Sequence, residues 1–416
     1  MNTLRNFVLF CSLLFVPQFA AAQRDSWIAT WTAAPEPADP DPKEPVLNLE
    51  DQTVRERVRI SIGGAQIRIR LSNEYGSSAL VLASVTVAVP NGPASIRTDS
   101  IRTVTFGGRN SVTIPAGAPA LSDPLAFPVA YGAEISLSLY CPKRMATPTW
   151  HQLALKRSVV SPRGDHTHEE KIRGGAESLR SILISAVLVP AQPSDRLVVA
   201  FGDSIVDGDG STVDADHNWP SALIRRLGKT AEGSKLAVVN EGVAGNRLLG
   251  DGPLASLGVS ALARFDRDAL SVPGVTHIVL LEGINDLGFP GAKLGELSLA
   301  DPAEVPTAAD LIGAYRQLIS RAHTRGIKLI GSTMTPCEGA DIPGYYSDAK
   351  EATRQAVNKW IRTGGEFDGV IDFDAVLRDP DHPSRLLPRL ASEDHLHPND
   401  GGYQAMAEAI DLALFK

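Results

Sequence analysis

Cysteine is nearly absent: three residues in 416, with no C-x-x-C pair. That excludes a disulfide-built scaffold and a thiolate metal centre. Cys11 falls in the N-terminal leader, so Cys141 and Cys337 could form one bridge at most, and sequence alone cannot show that they meet. Positive charge is also short. Forty Lys and Arg face 48 Asp and Glu, a net charge of −8, which argues against a nucleic-acid footprint. Beyond the leader no apolar run is long enough to span a bilayer. In the leader, Arg5 is the only charge before Arg24, residues 7–15 are apolar, and Ala20, Ala21 and Ala22 follow. Residues 1–22 therefore read as a secretory signal peptide cut before Gln23, which predicts a secreted or periplasmic protein. Its apolar run is too short for an anchor, and Cys11, behind the bulky Phe10, does not suit lipid attachment. Losing Arg5 takes the net charge from −8 to −9.

What remains has the apolar content of an ordinary globular protein and the length for two or three domains. Residues 23–53 are rich in Pro, Asp and Glu (Pro35, Pro37, Pro40, Pro42, Pro45) and read as an extended entry pinned by Trp27 and Trp31. From 54 to 190 the hydrophobic period is two. Val58, Ile60 and Ile62, then Ile67, Ile69 and Leu71 across Gly63-Gly64, predict a β-hairpin. Val85, Val87 and Val89, then Ile135, Leu137 and Leu139, repeat the pattern. An all-β domain over 23–190, sandwich or jelly-roll-like, is expected. Arg55, Arg57, Arg59, Arg68 and Arg70 alternate with the apolar residues; they read as a solvated sheet face, with a surface for an anionic polymer as the sharper alternative.

Pro190-Ala191-Gln192-Pro193-Ser194 marks a boundary. Beyond it strands predicted at 197–201, 236–240, 277–282, 327–333 and 369–373 alternate with helices. Pro220 opens one helix and Gly228 closes it; Thr307 with Asp310 and Asp348 with Glu351 start two more; the last begins at Asn399 or Asp400. Tyr403, Met406, Ala407, Ile410 and Leu414 fall on one face of that last helix. This alternation predicts a doubly wound parallel sheet over 195–416.

Four short stretches fall where strands end or the last helix begins. Gly202-Asp203-Ser204 places a hydroxyl at a strand's carboxyl end. In Gly242-Val243-Ala244-Gly245-Asn246 the Gly245 backbone could donate to an oxyanion, and the side-chain amide of Asn285 in Gly283-Ile284-Asn285-Asp286 could donate to the same oxygen. In Asp394-His395-Leu396-His397-Pro398 an acid three residues before a histidine can hold the imidazole's far nitrogen while the near one takes a serine proton. Each stretch alone also reads as turn chemistry. The Asp-His stretch further reads as a helix cap, or as metal ligands His395 and His397.

In this order the four blocks resemble the signature of the SGNH (GDSL) hydrolases. The resemblance covers about 195–416 and implies a flavodoxin-like α/β/α fold, ester hydrolysis and no cofactor. By it, Ser204 is the nucleophile, His397 the base and Asp394 its orienting acid. The oxyanion hole would be the Ser204 N–H, the Gly245 N–H and the Asn285 side chain. Ile205 stands where many members carry leucine, a conservative exchange. The N-terminal half, through Trp27 to Pro35, Leu71-Ser72-Asn73-Glu74-Tyr75-Gly76 and the stretch 150–165, is similar to the leader domain of some secreted bacterial members. Two-domain carbohydrate acetylesterases share that layout.

Other candidates are weaker. His166-Thr167-His168-Glu169-Glu170 reads as a solvated loop before a metal site, and Asp207-Gly208-Asp209-Gly210 lacks the acid spacing of a calcium loop. His277 and His323 read as structural. Trp219, Tyr345, Tyr346 and the loop 251–258 are expected to shape the pocket or simply to pack. The expected substrate is a small ester or acylated polysaccharide, with acetyl on plant polysaccharide favoured. A lipid ester or aryl ester is the alternative, and a carbohydrate-binding protein with an inert hydrolase domain is the reading from another class. Neither a nucleic-acid partner nor a membrane span is expected.

Overall fold

A computed structural model describes residues 26–39, 49–145 and 147–416. The expected signal peptide and Pro40, Pro42 and Pro45 lie outside them. Strand Arg196–Gly202 is the spine of the C-terminal half. Leu197 to Phe201 are fully buried, as a strand covered on both faces must be. It pairs in parallel with Leu236–Gly242 on one side and Val275–Leu281 on the other; Lys328–Ser332 and Gly369–Ile371 complete the sheet. Taken in space, the strands run second, first, third, fourth, fifth, the flavodoxin-like order.

Alternate residues of these strands feed two cores. Val198, Ala200, Val238 and Val279 meet helices Trp219–Leu227 and Asp400–Ala409. Val199, Phe201, Val239 and Ile278 meet Ala261–Phe265, Ala308–His323 and Asp348–Thr363. The result is three layers, α/β/α. The helix starts follow the expected chemistry. Thr307 and Asp310 form a reciprocal capping box, and Asn218, Ser347 and Asn399 cap the others. Pro220 sits second rather than first, behind Trp219. The last helix stops at Ala409, so Ile410 and Leu414 pack from beyond it.

Among the described residues the N-terminal half is all-β apart from a short 3₁₀ turn at Thr98–Ser100. A five-stranded antiparallel sheet (Trp27–Thr32, Ile184–Pro190, Gly64–Asn73, Leu125–Val129 and Ala118–Leu121) and a six-stranded one built around Gln52–Arg59 and Glu134–Cys141 share one apolar core. The hairpin expected across Gly63-Gly64 does not form: Gln52–Arg59 and Gly64–Asn73 belong to different sheets. Neither glycine has the positive φ of a two-residue hairpin turn. They are needed for closeness instead, since a Cβ on Gly63 would lie 2.6 Å from the Val129 carbonyl oxygen. The chain turns a corner there, and both of its alternating runs still face the common core.

The arginine stripe is not a solvated face. Arg55 is fully buried, and its guanidinium donates to the Ser138 hydroxyl and to the carbonyls of Ala94, His166 and Glu169. The loop 166–170 therefore packs over Arg55 through its backbone carbonyls. Arg57 and Arg59 reach across to Asp214 and Asp216 of the C-terminal half at 2.9 and 2.6 Å. Arg68 lies over the Trp27 ring, and Arg70 bonds Ser185 and Glu74. With these partners taken, the stripe offers no open surface to a polyanion.

The β domain also covers the exposed edge of the parallel sheet at strand Leu236–Gly242. The Val238 N–H donates to Ser61 Oγ at 2.8 Å, and the Asn240 carbonyl accepts from Thr32 Oγ1 at 3.0 Å. An uncovered edge would be a site for pairing with other chains. Cys141 and Cys337 are both buried free thiols in separate apolar clusters, so they do not pair. Among the described residues no helix is long and apolar enough to cross a membrane.

Candidate active site

Strand Arg196–Gly202 ends at a glycine because its neighbour is too close for anything larger: a Cβ on Gly202 would meet the Leu281 carbonyl oxygen at 1.9 Å. The chain then turns at Asp203, whose carboxylate caps the single helical turn Ser204–Asp207 by accepting from the Ile205 N–H at 2.9 Å. Ser204 opens that turn at 6% exposure.

From 193 residues away, His397 brings its Nε2 to 2.8 Å from Ser204 Oγ. Its Nδ1 lies 2.5 Å from Asp394 Oδ2. The other Asp394 oxygen accepts from the Leu396 and His397 N–H groups, each at 2.9 Å, and from Ser392 Oγ at 2.6 Å. With a carboxylate fixing the proton on Nδ1, the neutral ring presents Nε2 as acceptor to the serine hydroxyl. His395, at φ +57° and exposed, takes no part, which removes the reading of the two histidines as metal ligands.

Burial opposes charge on both partners. It is outweighed in each case: hydrogen bonds from His397 and Ser392 hold the Asp394 carboxyl well below the usual carboxylate range, and Asp394 with Asp209 lifts the His397 imidazole above its ordinary value. Asp209 Oδ2 lies 3.8 Å from His397 Nε2. A base must be neutral to take a proton, so the acid limb of kcat/KM is expected above pH 6.5. Removing the Asp209 charge destabilises the imidazolium. Asp209→Asn should therefore shift this limb to lower pH, and a pH–rate profile in which the limb stays put or rises would refute the assignment.

Besides the Ser204 N–H, the expected oxyanion donors follow the ends of the neighbouring strands, Leu236–Gly242 and Val275–Leu281. Among the described residues, the Ser204 and Gly245 N–H groups have no protein acceptor. Gly245 holds φ +73°, and Leu257 of the loop 251–258 packs over its α-carbon. Asn285 Nδ2 donates to the Asn246 carbonyl at 2.9 Å, beside Gly245. Tyr345 fixes that amide's orientation by donating its hydroxyl to Asn285 Oδ1 at 2.8 Å. Asp286 accepts from the Leu248 and Leu249 N–H groups at 2.6 and 2.8 Å, tying the loop after Gly245 to the next block.

Arg264 carries no sequence signal, because it reads as a polar position on a short helix. It is nonetheless buried against the Phe201 ring, donating to the Gly202 and Glu241 carbonyls and to Asn246 Oδ1. It thereby joins the first two blocks. Trp219 is not a pocket residue: it is fully buried against Phe373, in the same apolar cluster as Ile205 and Val206. His277 is a core histidine packed edge-on to Phe415, and His323 pairs with Asp368 at the surface. Among the described residues no cluster of three or more His, Cys, Asp or Glu could hold a metal.

No curated protein sequence matches the chain. Solved structures similar to part of it include a GDSL-like lipase from Bacteroides thetaiotaomicron (18% identity, 54% of this chain and 90% of that one, TM-score 0.36). An α/β hydrolase from the metagenome of Lake Arreo gives 21%, 54%, 96% and 0.38. A variant acetyl xylan esterase from Geobacillus stearothermophilus gives 18%, 53%, 94% and 0.39. Residues 200–405, which hold all four blocks, match the model of the GDSL-like Lipase/Acylhydrolase family. Residues 200–405 are therefore a hydrolase domain of the GDSL-like lipase/acylhydrolase family.

Proposed function

We propose that the protein is a serine esterase that removes short acyl groups, acetyl above all, from carbohydrate, acting outside the cytoplasm and without a cofactor. The observation that carries the reading is the hydrogen-bonded line Ser204–His397–Asp394, at 2.8 and 2.5 Å. His397 Nε2 takes the Ser204 proton as Oγ attacks the ester carbonyl carbon. The Ser204 and Gly245 N–H groups and the Asn285 amide hold the oxyanion. When the intermediate collapses, the imidazolium gives its proton to the departing alcohol. Water, deprotonated by the same ring, then cleaves the acyl-serine to the acid and free enzyme. A donor of this kind is typically worth about 10²–10³ in rate.

Short acyl groups are favoured by packing. Ile284, Tyr345 and Leu396, neighbours of Asn285 and His397 in chain or in space, are buried in one apolar cluster with Leu257 at its edge. A cavity lined by Asp207 and His151 adjoins the nucleophile turn, and Ser204 does not line it. A second reading, a lipid ester, has support in the exposed leucines 249 and 254 on the loop beyond Gly245. A p-nitrophenyl ester series from acetyl to dodecanoyl, beside acetylated xylan, separates them. We expect the highest kcat/KM at acetyl and release of acetate from the polymer; a maximum at long chains would overturn the acetyl assignment.

A further inference from the structure

The nucleophile turn ends on a buried carboxylate that ester hydrolysis leaves unused. Asp207 is 3% exposed, and its Oδ1 lies 2.9 Å from Nε2 of His151, the last residue of strand Thr149–His151 in the β domain. The other ring nitrogen, Nδ1, lies 3.2 Å from the Ala34 carbonyl oxygen and 3.6 Å from Glu36 Oε1. The Asp207 carboxylate at Nε2 and the Ala34 carbonyl at Nδ1 both accept hydrogen bonds, so a proton on each ring nitrogen satisfies both, and His151 is held as a cation. Burial opposes that charge, but the charge of Asp207 and its hydrogen bond to Nε2 lift the imidazole above its ordinary value. Burial pushes the Glu36 carboxyl up to about 8, so at neutral pH it stays protonated and His151 pairs with Asp207.

The backbone of Asp207 is fixed as well. Its carbonyl accepts from Asn218 and Asn240, and its N–H packs so tightly on Gly242 that a Cβ there would come to 2.3 Å. Its carboxylate is held chiefly by His151 at Oδ1, with the Ala244 N–H as a weaker partner. A four-residue helix has little stability of its own. Reaction geometry, however, tolerates displacements of well under 1 Å, and a 1 Å error can cost about 10² in rate.

We propose that His151 is a positioning residue: through Asp207 it anchors the turn that begins at Ser204, which makes the β domain part of the catalytic apparatus. This rests on Ser204 being the nucleophile.

The test uses the full chain and p-nitrophenyl acetate. His151→Ala is expected to lower kcat about 10²-fold with KM within twofold, and to slow fluorophosphonate labelling in parallel. His151→Gln, which can still donate to Asp207, should recover at least tenfold of the loss. Added imidazole should partly restore His151→Ala, because a cavity lined by both Asp207 and His151 adjoins the vacated space. A folded His151→Ala with wild-type kcat, or a loss confined to KM, overturns the proposal. If His151→Ala does not fold, Asp207→Asn decides: lowered kcat at unchanged KM supports the anchor, and wild-type kcat refutes it. The underlying reading fails separately, by full activity of Ser204→Ala.

Discussion

Ser204→Ala is expected to lower kcat on p-nitrophenyl acetate by on the order of 10⁴-fold or more, leaving only the contribution of binding and the oxyanion donors. The fold should survive. The hydroxyl makes one side-chain hydrogen bond, to His397, and His397 keeps its bond to Asp394. The change in stability should therefore stay within about 1 kcal/mol. Loss of turnover at unchanged melting temperature separates a reacting group from a structural one. Retained turnover would move the chemistry to another residue, and the whole mechanism would go with it.

Arg264→Met is expected to have the largest effect on stability. The arginine side chain is 1% exposed, within 3.5 Å of Asp268 and 3.9 Å of Glu282, whose side chains are equally buried. Burial raises the carboxyls of Glu241 and Glu282, so the cluster carries fewer negative charges than its composition suggests. Arg264 offsets part of what remains. Removing it strands buried charge and leaves the Gly202 and Glu241 carbonyls without this donor, a loss of about 3–5 kcal/mol. In a chain of this size that lowers Tm by roughly 5 °C. Because those carbonyls belong to the strands that present Ser204 and Gly245, kcat should fall as well. A melting temperature within a degree or two of wild type would show that the arginine is not the tie between these strands.

The parts of this molecule legible in the sequence depend on local chemistry. A strand buried on both faces must be an unbroken apolar run, and residues 197–201 are one. A helix start needs a side-chain acceptor, and Thr307 with Asp310 supplies a reciprocal pair. The four site blocks could be read because each sits at a strand end or a helix start. What escaped depends on partners distant in the chain. Gly63 and Gly64 look like a hairpin turn until the crowding by Val129 and Val189 is known. The alternating arginines look solvated until the loop 166–170 covers Arg55 and Asp214 and Asp216 meet Arg57 and Arg59. Tyr345 could be singled out as a pocket residue, but its hold on Asn285 spans 60 positions. His151, Asp207 and Glu36 come from three separate segments, and no spacing announces that they meet.

The central claim is that Ser204 attacks and is acylated. It is tested most directly by treating the full chain with a fluorophosphonate probe and mapping the adduct by mass spectrometry. The account predicts one probe per chain on Ser204, with labelling that slows as acid protonates His397 and is absent in Ser204→Ala. An adduct on any other residue, or equal labelling of Ser204→Ala, would contradict it.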